Sequence, residues 1–256
     1  MREEVEPQEV DKKDSKVEEK NVSPPEPPPT TQRQTSIPKM HPDSTYNFKF
    51  ILAGDSWVGK SSLLSRFRSQ KFQKDIPSTI GFDCCEMSVQ TGEKRVNLEI
   101  LDTAGEERFM SVATSFYRDR AGAFLVYDVT KRETFDHLDR WLKELRDHND
   151  KIVVMLIGNK FDLAEKGAAR AVAFSEGSDY ALQNKLTGGF IETSAKNDAK
   201  NGDLASIPRA LAQRIYDGIL DKSIDPNISQ KGIRVSQQQQ QTIKLQEQQQ
   251  KNKKCC

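Results

Sequence analysis

The sequence predicts an α/β domain, a mostly parallel sheet covered by helices, with a long tail at either end. Three observations predict it. AFLVYDV at 123–129 and IVVMLIG at 152–158 are short apolar runs rich in β-branched residues, as in strands buried on both faces. Between them, Phe135, Leu138, Leu142 and Leu145 recur at helical spacing across Glu133–Arg146. At the start, the apolar run Phe48–Ala53 stops at Gly54, and Ser61–Phe67 then has helical character. Strand alternating with helix gives a parallel sheet, whose ligands sit at the carboxyl ends of the strands.

The remaining elements follow in order. Val96, Leu98 and Ile100 alternate with polar residues, the mark of a half-buried strand. The TGEK turn at 91–94 joins it to the preceding strand as an antiparallel hairpin. Phe190–Thr193 is the last strand and Leu204–Leu220 the closing helix.

Residues 1–45 contain no Phe, Trp or Tyr and include PPEPPP at 24–29. Such a segment buries too little apolar surface to offset its ordering entropy and is expected to be disordered, a solvated spacer or a ligand for a proline-reading module. From 222 onward come a Pro-Asn turn, QQQQQ, a second glutamine cluster and KNKKCC, a flexible tail over 222–256. The folded domain is therefore expected at 46–221, about 175 residues, an ordinary domain size.

Composition excludes several classes. A formal net charge of +1 gives no reason to invoke nucleic acid. No run of 18 apolar residues is present, so nothing is expected to span a membrane, and the acidic amino end is unlike a signal peptide. The four cysteines form two adjacent pairs, Cys84-Cys85 and Cys255-Cys256, without metal-binding spacing, which predicts a reducing, cytosolic setting. His41, His137 and His148 cluster with no other ligands or nucleophiles, so zinc and Ser-His-Asp chemistry are poorly supported.

The loops after the strands carry the motifs. Gly54-Asp-Ser56-Trp57-Val58-Gly59-Lys60-Ser61 satisfies G-x-x-x-x-G-K-[ST] and is followed by Ser62. Its glycines let backbone N–H groups turn toward phosphate oxygens at a helix N-terminus. Lys60 is expected to reach the β- and γ-phosphates, and the Ser61 hydroxyl to ligate Mg²⁺. In LDTAGEERF at 101–109, Asp102 ends a strand, where its carboxylate can approach Mg²⁺ through a water, and Gly105 lets its N–H come close to a γ-phosphate. Asn159-Lys160-Phe161-Asp162 follows the strand at 152–158. A carboxylate at Asp162 can accept from both N1–H and the 2-amino group of guanine, a donor pair adenine lacks, so adenine would leave it unpaired. Asn159 and the Lys160 stem complete the base pocket, and Ser194-Ala195-Lys196 adds a backbone N–H for guanine O6 and a second lysine stem.

GDSWVGKSS, STIGFD, LDTAGEERF, FYRDRAGAFLVYDVT, GNKFDL and ETSAK, in this order over about residues 47–220, resemble the Rab family of small GTPases in the Ras superfamily. The resemblance implies a P-loop small-GTPase domain with a six-stranded sheet, GTP or GDP with Mg²⁺, and two segments that change with the nucleotide. It makes Thr79 a Mg²⁺ ligand and γ-phosphate sensor, and Phe72 the ring against guanine. It also implies an exchange factor, a GTPase-activating protein, escort and dissociation-inhibitor proteins and effectors, acting on a monomer. Both Cys255 and Cys256 become geranylgeranylation sites. Each lipid adds about 0.8 kcal/mol per buried CH₂, so stable anchoring takes two signals, and Lys251, Lys253 and Lys254 add attraction to an anionic leaflet. A coiled tail over 222–256 spans roughly 30 Å. The expected place is the cytoplasmic face of an intracellular membrane, in exchange with cytosol.

The chain departs from the family in several places. The positions usually Phe, Trp and Tyr on the effector face are Cys84, Leu101 and Phe116, beside Ile80, Gly81 and Phe82. This removes large anchors of the kind that dominate interfaces. Trp57 puts a bulky ring at the rim of the phosphate loop. The charges of YRDRAG suggest an exposed helix end. Insertions around 164–190 and 196–203 lie beside the base-binding loops. At the catalytic position, Glu106 stands where the family carries glutamine. A glutamate keeps the acceptor for the attacking water but loses the donor toward the γ-phosphoryl oxygens. Two functions follow: a GTP-hydrolysing switch in vesicle traffic, or a recruitment module that binds GTP and scarcely hydrolyses it.

Overall fold

Tyr46–Ala53 forms the central strand β1, and its alternation explains why the domain has two cores. Phe48, Phe50 and Leu52 face one cluster, while Ile51 and Ala53 face the other. The computed structural model describes residues 44–69, 72, 79, 82–103, 117–165, 169–197, 204–226 and 232–235. In chain order the elements are β1, α1 (Lys60–Ser69), β2 (Phe82–Thr91), β3 (Lys94–Thr103), β4 (Gly122–Asp128), α2 (Arg132–Asp136) and α3 (Leu138–His148). They continue with β5 (Val153–Asn159), α4 (Phe161–Glu165), α5 (Phe174–Gln183), β6 (Gly189–Glu192), α6 (Ser206–Leu220) and β7 (Ile233–Val235).

The sheet runs β2-β3-β1-β4-β5-β6, with β7 also on β1. β2 and β3 form the expected antiparallel hairpin, with Phe82 opposite Thr103. The β1–β3, β1–β4, β4–β5 and β5–β6 pairs are parallel. β4 and β5 are buried along their whole length, as their unbroken apolar runs require. Leu63, Leu64 and Phe67 of α1 pack with Leu211 and Ile215 of α6 on one face. Leu138, Trp141, Leu142 and Leu145 of α3 cover the other. Phe124 is fully buried and meets Phe50 edge-on at 5.8 Å and Phe67 at 5.6 Å. Truncating such a ring to alanine costs about 3–5 kcal/mol. Among the described residues, no helix is long and apolar enough to cross a membrane.

The structure corrects the expected fold at four places. The helix expected over Glu133–Arg146 is two helices, α2 and α3, separated at His137 (φ −82°, ψ −5°), where the helical run is interrupted. The folded unit reaches back at least to Ser44, because the Ser44 hydroxyl donates to Asn97 Oδ1 (2.8 Å) and Thr45 N–H to Arg95 O (3.0 Å). The tail expected from 222 is partly built into the domain. Ile224 N–H donates to Gly218 O (2.8 Å), its side chain joins the α6 core, and Ile233–Val235 adds a seventh strand to the six expected. Apolar residues alternating about Arg234 explain that strand. Finally, YRDRAG is only partly exposed: Arg118 and Asp119 face solvent, but Arg120 is buried, its Nη1 3.0 Å from Glu99 Oε1.

Candidate functional site

The carboxyl ends of β1, β3, β5 and β6 bring the candidate residues together. β1 passes directly into the phosphate loop, and two glycines there are required by close approach. Gly54 has φ +134°, and a Cβ would lie 2.2 Å from Val126 O. Gly59 has φ +99°, and a Cβ would lie 2.4 Å from Asn159 Nδ2. Trp57 also adopts a positive φ (65°), with its indole 71 % exposed at the rim. Ser56 and Val58 flank it, Val58 buried, and Ser62 follows on α1.

Lys60 opens α1 with a buried ammonium that donates to Gly54 O (2.8 Å) and Asp55 O (2.7 Å). Burial pulls its pKa down to about 8, against the opposing attraction of Asp102 and Asp55. The charge is thus held under the loop by two carbonyls that a phosphate can replace. The sequence reading missed what holds the loop itself. Asp55 Oδ1 accepts from Trp141 Nε1 (2.7 Å) and Oδ2 from His137 Nδ1 (2.7 Å), tying the loop to α3 and the turn before it. The acid within the loop was the only available signal, since its partners lie 82 and 86 residues away.

The three expected metal-site residues converge. Ser61 Oγ donates to Asp102 Oδ2 (2.5 Å) and lies 2.7 Å from Thr79 Oγ1, which is itself 3.2 Å from Asp102 Oδ2. Asp102 Oδ1 is buried without a hydrogen-bond partner. Burial raises the Asp102 pKa, against the lowering by the Ser61 hydrogen bond and by Lys60. Two hydroxyls, a carboxylate with an unused oxygen and phosphate oxygens form a hard donor set that fits Mg²⁺.

The base site is also cross-braced. Asn159 Nδ2 donates to Val58 O (2.8 Å), and Asn159 Oδ1 accepts from Ala195 N–H (3.1 Å), so one side chain joins the phosphate loop to the 194–196 loop. Asp162 is 2 % exposed; its Oδ1 accepts from Ser194 Oγ (2.5 Å), and its Oδ2 has no partner. A buried acceptor left unpaired is costly unless a ligand meets it, which is what a guanine edge does. Lys160 adopts φ 65° and spans from Trp57 O (2.5 Å) to Asp128 Oδ2 (2.9 Å), a bracing role for Asp128 that the sequence did not reveal. Lys196 is exposed, with its N–H on Ser194 Oγ (3.2 Å), and Phe72 is half-buried.

The expected effector face is divided. Phe82 is 56 % exposed, but Cys84 is half-buried against the α3-side core. Leu101 is corrected: at 4 % exposure it lies in that core with Ile51 and Tyr117, so it offers no surface to a partner. Ile80, Gly81, Gly105, Glu106, Phe116, Cys255 and Cys256 lie outside the described residues.

A family model described as the Ras family matches residues 49–212. The Ras-related protein RABA1h of Arabidopsis thaliana is 48 % identical over 158 residues, covering 61 % of this chain and 70 % of that protein. The Ras-related protein rab-11.1 of Caenorhabditis elegans is 45 % identical over 180 residues, 70 % of this chain and 82 % of its own. The Ras-related protein RABA2a of Arabidopsis thaliana is 41 % identical over 218 residues, 84 % of this chain and 97 % of that one.

Proposed function

This chain belongs to the Rab group of the Ras family of small GTPases, and from that premise we propose that it cycles between GDP and GTP states and hydrolyses GTP to time a step of intracellular membrane traffic. The observation that carries guanine selection is the buried, unpaired Oδ2 of Asp162 beside a Ser194-bound Oδ1. Guanine N1–H and N2–H₂ supply donors to this carboxylate, and Asn159 keeps the base loops in register with the phosphate loop.

The chain's own residues divide the phosphate chemistry. Lys60 exchanges its two carbonyl acceptors for phosphate oxygens, and the loop N–H groups with Gly105 cradle the remainder. Mg²⁺, when bound, neutralises charge on the β- and γ-phosphates. Ser61 and Thr79 would hold it with their hydroxyls and Asp102 through a water. Because Thr79 belongs to this set, loss of the γ-phosphate removes one of the groups that hold it there, which gives the switch its two states. Glu106 orients the attacking water as an acceptor, without the amide donor that glutamine offers a charged transition state. Trp57, exposed at the rim, limits the room for a side chain inserted by an activating protein.

The membrane half of the proposal rests on Cys255 and Cys256 as lipidated thiols, with Lys251, Lys253 and Lys254 beside them. An exchange factor, an activating protein, escort and dissociation-inhibitor proteins and effectors act on the monomer. Phe82 is the exposed apolar residue at the start of the effector strand. The second reading, a GTP-bound recruitment module with little hydrolysis, is favoured by Glu106 and the exposed Trp57. Single-turnover GTP hydrolysis of wild type and Glu106→Gln, with and without an activating protein, separates the two. The switch reading predicts measurable wild-type turnover and an altered activator response in the variant. Absence of turnover, with GTP retained through purification, supports the recruitment module.

A further inference from the structure

β1 extends past its neighbour β4, whose first residue Gly122 stands opposite Phe50. Tyr46, Asn47 and Phe48 are covered by β3 on one edge only, with Tyr46 opposite Val96. β7 fills the other edge antiparallel, pairing Phe48 with Ile233, Asn47 with Arg234 and Tyr46 with Val235. Lys49 links the two occupants of that edge: its N–H donates to Gly232 O and its carbonyl accepts from Ala121 N–H, both at 2.8 Å. Ile233 and Val235 are buried while Arg234 is exposed, and Ile233 joins the core of Phe48 and Leu211.

The seat is shaped for this segment. Gly232 has φ +106°, and a Cβ there would lie 2.5 Å from Ala121 N and 2.7 Å from Arg120 C and Asp119 O. Only a residue without a side chain rests so closely on the 119–121 turn. The turn is braced in return. Arg120 pairs with Glu99, which also takes Lys49 (3.4 Å), and Asn149 Nδ2 donates to Arg120 O (2.9 Å). This is the YRDRAG segment whose charges depart from the family pattern, so the unusual turn and the strand that sits on it form one contact.

We propose that the free half of the β1 edge is a docking slot for the chain's own Gly232–Val235, and that it fixes where the C-terminal segment leaves the domain. β1 runs toward the phosphate loop and β7 runs away from it. Val235 therefore exits beside Tyr46, about 26 Å of strand from Gly54. The slot also limits reach. At about 3.5 Å per residue, Cys255 lies within about 70 Å of Val235, against about 120 Å if the chain were free from Asp221. This inference rests on the reading of Cys255 and Cys256 as the lipid-bearing residues. On that reading, the clamp takes residues 222–235 out of the tether and so holds the domain nearer the bilayer than a chain free from Asp221 would.

The test uses the full chain loaded with a fluorescent guanine nucleotide, whose stoichiometric retention confirms folding. Gly232→Val and Ile233→Asp disrupt the slot by different means, and Arg234→Ala at the exposed position is the control. Amide exchange at Asn47 and Lys49 is expected to accelerate about tenfold or more in both variants and to stay unchanged in the control. For lipidated chain on vesicles of neutral and anionic phospholipid carrying an acceptor dye, energy transfer from the nucleotide is expected to fall when the clamp is lost, because the longer tether lets the domain move farther from the bilayer. Unchanged exchange in both variants overturns the docking slot; unchanged transfer despite faster exchange overturns its role in limiting reach. An unmodified Cys255–Cys256 peptide in chain recovered from cells overturns the lipid reading and the tether with it. In that case amide exchange still decides the slot.

Discussion

Asp55 of the phosphate loop accepts a hydrogen bond from the indole Nε1–H of Trp141, 2.7 Å away on α3. The same Asp55 offers its main-chain carbonyl to Lys60, so the Trp141 side chain is linked to the Lys60 ammonium through one residue. Trp141→Phe keeps an aromatic ring in the core, removes the donor and trims part of the buried ring system. A hydrogen bond to a charged acceptor contributes about 1.5–3 kcal/mol, and His137 retains part of the hold. GDP dissociation is therefore expected to quicken by about tenfold, read by chase of a fluorescent nucleotide; an unchanged rate removes the coupling.

Asp162→Asn exchanges the acceptor Oδ2 for an amide that can donate. Guanine affinity is expected to fall by roughly 10⁴, since the buried site then meets donor with donor. Xanthine nucleotides, which present a carbonyl at position 2, are expected to bind the variant better than the wild type. Displacement titrations with both bases check the inversion, and equal losses for both would argue that the variant is merely unfolded or misplaced.

Ser61→Ala removes one of two hydroxyls around Asp102 Oδ2. Wild-type chain is expected to release GDP much faster after chelation of Mg²⁺. The variant is expected to release it fast with or without the chelator. A variant that keeps the full chelation response places the cation elsewhere.

Lys60 gives a pH dependence whose sign follows from burial. In the free site its pKa is lowered to about 8, while bound phosphates restore it upward. Nucleotide binding then takes up a proton above pH 8, and affinity is expected to fall as pH rises from 7.5 to 9, by at most about tenfold per unit. The stability of the nucleotide-free fold moves the other way. A depressed lysine pKa costs stability below about 8, and that cost is relieved between there and the unfolded value. Calorimetry across this range in two buffers of different ionisation enthalpy measures the proton uptake directly.

The phosphate loop, the 159–162 motif and the strand–helix order were legible in the sequence because each is local: a few adjacent residues fix the turn and its chemistry. Contacts across the fold were not. The Asp55 hold on His137 and Trp141 needs α3 to pass behind the loop, and nothing in a linear pattern says so. Leu101 was assigned to a surface because its exposure is decided by Ile51 and Tyr117, two other stretches of chain. Three residues of β7 carry too short an alternation to stand out within a glutamine-rich tail, and their meaning comes from the part of the β1 edge that β4 does not cover. His137 interrupts a run whose apolar spacing reads as continuous, since spacing records which face is buried and not where the hydrogen-bond run breaks.

Displacement of labelled GDP from the full chain in Mg²⁺ tests whether these loops form a guanine-selective switch site. Unlabelled GTP is expected to displace it at near-stoichiometric concentrations while ATP requires at least about 10⁴-fold more, the discrimination of a buried acceptor left unpaired by the wrong base. Displacement by ATP at concentrations comparable to GTP would contradict it.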